Sequence, residues 1–198
     1  MNANSLMALM PILMLSLTAV VLMIQASIKR DQSVAWFISA LGFLLTLWGA
    51  GYAREFTQPV TVLLIVDDWG LFFTTLIVAA ALVTLILSRD TFSTEGERKE
   101  EYYLLLVLSV LGAVVLIQSS HMVSLLLGME LMGVALYAMI AFPEKGQLPL
   151  EASIKYLVLS ACASAMLLYG FALLYAATGD LSYGGIGLKA MLAYQQNP

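Results

Sequence analysis

Glu130 stands out as the side chain best placed to do chemistry, because it is the one charge set deep in a long apolar run. Its neighbours Leu125, Leu126, Leu127, Gly128, Met129, Leu131, Met132 and Gly133 offer it no local partner. In a helix of this run it lies about eight residues in, or ~12 Å deep at 1.5 Å per residue. A carboxylate at the centre of a bilayer costs at least ~2.5 kcal/mol, so the group must meet another helix, a file of water, or a proton. Removal from water raises a carboxyl pKa and a nearby cation lowers it, which can poise such a group for proton exchange. The plainer alternative is a protonated carboxyl bonded to a serine or a backbone carbonyl across a helix pair.

Lys155 is the natural cationic partner, since consecutive helices joined by a short loop tend to pack side by side. One or two waters could then link it to Glu130. Against this, Lys155 follows Glu151 by four residues, the favourable order for a pair on one helix face, and its long stem can snorkel to the membrane surface as an anchor. His121 falls in a short polar turn and reads as a surface loop residue in preference to a proton relay. Cys162 sits among Ser160, Ala161, Ala163, Ser164 and Ala165 and reads as one more small packing residue. The pairs Ser160/Ser164 and Ala161/Ala165 have the small-xxx-small spacing that lets helices approach closely.

The elements that hold these residues follow from composition. Of 198 residues, 61% are hydrophobic and 11% charged, against roughly 25% charged in an average soluble domain. The mean hydropathy is +0.92. A core of this size cannot hide so much apolar side chain, whereas lipid solvates it. A span needs about 20 apolar residues, and six stretches qualify: Leu6–Ile28, Ser33–Tyr52, about Trp69–Ser88, Tyr102–Gln118, Met122–Phe142 and roughly Leu150–Ala177. The expected fold is thus an all-α polytopic membrane bundle. Asp67 or Asp68 is suited to cap the third span, and Trp69 suits the lipid interface.

Between the spans, Arg89–Glu101 reads as a solvated loop, Pro143 ends the fifth span, and Glu144-Lys145-Gly146-Gln147 links it to the sixth. Gly179-Asp180 breaks the sixth span. The tail, with Gly184, Gly185 and Gly187, reads as a loop rather than a helix.

Charge and motif content exclude several functions. A net charge of −4 gives no basic face for nucleic acid. A single Cys and a single His cannot form an internal disulfide or a usual zinc site. Neither a phosphate-binding loop nor a Ser/His/Asp set is present, so no cofactor or covalent chemistry is expected in this chain. The first 28 residues hold no Lys or Arg, so the charged start of a cleavable signal peptide is missing and the first run is expected to be retained. One set of alternate loops carries Lys29, Arg30, Arg89, Arg98, Lys99 and Lys145, and the other only Arg54 and Lys189. That bias puts the first loop in the cytoplasm and the N-terminus outside.

Two stretches resemble a known family. One runs from Glu101-Tyr102-Tyr103-Leu104 through Gln118-Ser119-Ser120-His121 to Gly128-Met129-Glu130-Leu131-Met132. The other is Leu150-Glu151-Ala152-Ser153-Ile154-Lys155-Tyr156, followed by Thr178-Gly179-Asp180-Leu181. Both are similar to subunit N of bacterial proton-translocating NADH–quinone oxidoreductase (respiratory complex I), an antiporter-like subunit. The resemblance is weak over the first hundred residues and strong from Glu101 to Ser182.

It implies two parts: residues 1–94 as three N-terminal transmembrane helices, and residues 95–198 as the first three helices of an incomplete antiporter-like repeat. It further implies proton translocation coupled to electron transfer from NADH to quinone, both used elsewhere in the complex. The implied partners are other membrane subunits of complex I, especially antiporter-like ones, with the cell inner membrane as the location. Glu130 takes the part of the family's fifth-helix Glu and Lys155 that of the sixth-helix Lys on the proton path. The family continues with seventh-, eighth- and twelfth-helix lysines and a second repeat, so this chain alone is not expected to pump. A non-pumping structural or assembly protein, or a fragment of a cation/proton antiporter, is the alternative.

Overall fold

The computed structural model describes residues 3–28, 30–91, 99–142 and 148–196. Among them are eight helices and one two-stranded hairpin: α1 (Ala3–Ala8), α2 (Met10–Ile28), α3 (Gln32–Ala53), β1 (Gln58–Pro59), β2 (Ile65–Val66), α4 (Asp68–Thr91), α5 (Lys99–Ile117), α6 (Met122–Ala141), α7 (Leu148–Thr178) and α8 (Tyr183–Gln196). Six helices, α2 to α7, are long and apolar enough to cross a membrane, the number read from the sequence.

The first run is not one uninterrupted helix. It breaks at Leu9, two residues before Pro11, whose ring cannot donate to the preceding turn and crowds the carbonyl four residues back. The caps follow side-chain chemistry. Asp31 accepts hydrogen bonds from the Ser33 and Val34 amides at the start of α3, and Asp67, not Asp68, caps α4 by accepting from the Gly70 amide at 2.7 Å. Helix α4 runs on to Thr91 and α5 begins at Lys99, so the polar stretch between them is shorter than expected; residues 92–98 lie outside the described residues. So do Pro143 and the linker at 144–147.

Helix α5 is the hub, packed against α2, α3, α4 and α6. Its Tyr103, Val107 and Val114 join Leu15, Leu22, Phe43, Val78 and Leu85 in one fully buried cluster. Helices α5 and α6 approach backbone to backbone. A Cβ on Gly112 would lie 2.5 Å from the Met132 nitrogen, and one on Gly128 would lie 2.6 Å from the Leu116 nitrogen; only glycine fits both places. Helix α7 packs chiefly on α6 and α8 and leaves a broad apolar surface uncovered, including Leu157, Leu159, Met166, Tyr169 and Leu173.

The hairpin marks one end of the bundle. There the Ile65 amide donates to the Gln118 carbonyl at 2.9 Å and the Ser120 amide to the Leu63 carbonyl at 3.0 Å. His121 bridges to Ser182, and Ser119 shares a hydrogen bond with the Tyr183 hydroxyl. The connections after α3, α5 and α7 are thus tied together. At the opposite end Arg30 pairs with Glu100 and Glu101, and the Arg89 guanidinium lies 4.8 Å over the Trp36 ring, a cation–π contact.

The tail departs from the sequence reading. Residues 183–196 form α8, despite three glycines near its start. Ser182 Oγ accepts a hydrogen bond from the Gly185 amide at 3.1 Å, a serine N-cap that satisfies an orphan donor of the first turn. The Leu188–Gln196 stretch then continues with good helix formers.

Candidate functional site in the α6–α7 seam

Position along the helices decides what Glu130 meets. It stands mid-way along α6, partly buried, and faces α7. Ser164 Oγ donates to Glu130 Oε1 at 2.5 Å. Two turns further along α6, the Tyr137 hydroxyl donates to Ser160 Oγ at 2.6 Å, and Ser153 Oγ donates to the Tyr137 carbonyl at 2.9 Å. Residues seven apart on a helix share a face, so Glu130 and Tyr137 look into the same seam. Gly133, between them, makes room: a Cβ there would lie 2.9 Å from the Tyr137 hydroxyl.

The seam is therefore a row of oxygen atoms running from Glu130 toward the end opposite the hairpin. Each hydroxyl in it both donates and accepts. Ser160 and Ser164 are one turn apart, ~6 Å along the helix, a gap that one water can bridge. The bond from Ser164 satisfies Glu130 in either protonation state, since even a protonated carboxyl keeps an accepting oxygen.

Lys155 is elsewhere. Its Nζ bonds Glu151 Oε1 at 2.5 Å, and its side chain is 70% exposed. Nine residues of α7 separate Lys155 from Ser164, the residue level with Glu130, and that is ~13 Å of helix. The link through one or two waters considered from the sequence is not the arrangement here, because the register of α6 on α7 brings serines to the carboxylate and leaves Lys155 on its own helix face. Cys162 is exposed. His121 is the N-cap of α6, its Nδ1 accepting from the Val123 amide at 3.2 Å.

Tyr137 and Ser153 went unnoticed in the sequence, and Ser160 and Ser164 were read for packing alone. The seven-residue spacing of Glu130 and Tyr137 and the four-residue spacing of the serines were the signals available. No group of three or more His, Cys, Asp or Glu that could hold a metal occurs among the described residues.

Beneath the hairpin, Gln118 is fully buried between α4 and α5, and its Nε2 donates to Thr74 Oγ1 at 3.4 Å. This buried amide belongs to the same connection that the hairpin covers. It ties the end of α5 to α4.

Two solved structures with a similar fold come from respiratory membrane complexes. A chain of respiratory complex I from Thermus thermophilus, solved with bound aureothin, is 28% identical over 88% of this chain, with a TM-score of 0.77. A chain of the membrane-bound sulfane sulfur reductase, an archaeal respiratory membrane complex, is 23% identical over 93% of this chain, with a TM-score of 0.80. This chain spans 38% and 40% of the length of those two chains. It has an antiporter-like membrane fold, and residues 119–197, which carry Glu130 and its hydroxyl partners, match the NADH:quinone oxidoreductase/Mrp antiporter transmembrane family.

Proposed function

We propose that this chain is a membrane subunit of a complex I-type NADH–quinone oxidoreductase, of the subunit N kind, and takes part in proton translocation coupled to electron transfer. The carrying observation is the carboxylate Glu130 set mid-way along a membrane-spanning helix inside the segment that matches the family. Its bond from Ser164 across the helix pair is the contact that the plainer, structural alternative also expects. A carboxyl in such a place is retained at a cost in stability, and proton carriage is the common reason for it. The match to a Thermus thermophilus complex I chain and the Leu150–Tyr156 motif support the choice of complex.

In this reading Glu130 binds and releases the proton. The Ser164, Ser160 and Tyr137 hydroxyls form its approach from the end opposite the hairpin. Lys155, at the mouth of that approach, is a surface cation that changes the local field. The positive-inside bias puts this end in the cytoplasm and the N-terminus of the chain outside, in the inner membrane. NADH and quinone act on other subunits, and the partners are neighbouring antiporter-like membrane subunits. A cation/proton antiporter piece is the second reading, favoured by the second half of the family's own description.

The test is Glu130→Gln in the assembled complex, with NADH oxidation and proton uptake measured together in energised vesicles. The expected result is loss of most coupled proton transfer with the complex still assembled. Unchanged pumping in that variant would remove Glu130 from the path. Migration of the tagged chain within a large NADH-oxidising band on a native gel supports the complex I assignment. Sodium-dependent proton exchange without that band would favour the antiporter.

A further inference from the structure

At the hairpin end two opposite charges line one cavity without pairing. Arg54 follows the last turn of α3, and Asp68 opens α4, with Trp69 next to it and Phe72 one turn deeper. These four residues surround a cavity of about 350 Å³, within the ~300–1,000 Å³ usual for small-molecule sites. Among the described residues neither Arg54 nor Asp68 takes part in an ion pair. Asp67 has already taken the capping role on α4, so the Asp68 carboxylate is not needed there. Trp69 and Phe72 are 73% and 51% exposed, and the cavity sits where two membrane spans end and begin.

We infer that this cavity binds the headgroup of a phospholipid carrying both a phosphate and a primary amine, as phosphatidylethanolamine does. The guanidinium of Arg54 matches a phosphate oxygen pair. The ammonium group, with three N–H donors, matches the Asp68 carboxylate. Trp69 lies at the level of the headgroups, where amphipathic rings are favoured, and Phe72 meets the first part of an acyl chain. A quaternary ammonium headgroup has no N–H to give Asp68, and a glycerol headgroup has no cation. The hydrogen bonds at the two charges therefore distinguish the lipids.

The experiment is native mass spectrometry of the full chain in mild detergent, titrated with phosphatidylethanolamine, phosphatidylcholine and phosphatidylglycerol of identical acyl chains. Phosphatidylethanolamine is expected to bind about fivefold more tightly than the other two, because phosphatidylglycerol has no cation for Asp68 and the choline cation cannot make the charge-assisted N–H bonds that the primary ammonium makes. Asp68→Asn should erase that preference without weakening the binding of phosphatidylglycerol, whose anionic headgroup no longer meets a like charge. Arg54→Gln should weaken all three lipids. Helical circular dichroism identifies any variant that has lost its fold, and Asp68→Asn, a change of near-identical shape, serves where Arg54→Gln does not fold. Equal binding of the three lipids, retention of free inorganic phosphate in place of lipid, or a preference that survives Asp68→Asn would each overturn the proposal. So would occupation of this face by a second copy of the chain.

Discussion

The two charged residues singled out at the start differ in what surrounds them, and the difference sets what each does for stability. Glu130 is partly buried and bonded by Ser164, so Ser164→Ala leaves a carboxyl oxygen in the seam without its donor. The expected loss is about 1–2 kcal/mol, read from unfolding of the detergent-solubilised chain. Lys155 and Glu151 are both exposed, and an exposed pair one turn apart contributes at most about 0.5 kcal/mol. Lys155→Ala should therefore leave the unfolding midpoint nearly unchanged, and any effect it has must show in proton transfer rates. An unfolding midpoint lowered as much by Lys155→Ala as by Ser164→Ala would contradict this assignment of contacts.

At the scale of elements, the α5–α6 pair is held by glycines and the α7–α8 corner by an aspartate. Gly128→Val puts side-chain atoms where the Leu116 nitrogen and the Gly112 carbonyl now lie. The helices would have to part, at a cost of about 1–3 kcal/mol of the kind seen for overpacking. The same movement would displace Glu130, two residues on, relative to Ser164 on the other side of α6. A variant chain of unchanged stability would refute the close approach.

At the corner, Gly179 takes φ +66° and ends α7 in the left-handed conformation open to glycine. The Asp180 carboxylate then accepts from the Ser182 amide and hydroxyl and faces Lys189. The two bonds from Ser182, with the Lys189 charge as a smaller contribution, hold the Asp180 carboxyl below its ordinary range. A depressed carboxylate stabilises the fold above its unfolded pKa of about 3.9, and that contribution disappears as pH falls through the lower folded value. Amide exchange over residues 180–186 should stay slow down to about pH 4 and speed up below it, after correction for the intrinsic rate. In Asp180→Asn that acid-dependent step should be missing.

For the molecule as a whole, protection should follow packing. Helix α5 touches four other helices, whereas α7, the longest, is held mainly through α6. Hydrogen exchange in detergent should accordingly be slowest along α5 and faster along α7, because local opening is easiest where few apolar contacts are lost. Reconstitution with a partner that covers the exposed Leu157, Leu159, Met166 and Leu173 should slow α7 selectively. Equal protection of the two helices in the isolated chain would mean that lipid or detergent alone supplies what packing does not.

The sequence by itself determined the six spans, the capping of α4 by one of the two aspartates, and the position of Glu130 as a charge deep inside a span. Each of these is a local property: a run long enough for lipid, a side chain able to reach its own backbone, a charge with no neighbour to excuse it. It misjudged α8 because three glycines outweighed one serine cap, and the cap operates through a single hydrogen bond that composition does not register. Only the tertiary structure decided which residues share the α6–α7 seam. The register of two apolar helices is set by their full packing surfaces, here by Gly112 and Gly128 on one side of α6 and by Ser153 and Ser160 on the other. That register brought Ser164 to Glu130 and kept Lys155 a full ~13 Å of helix away. Spacing along one chain fixes which face a residue occupies; the height at which two faces meet depends on the close approach of backbones distant in sequence.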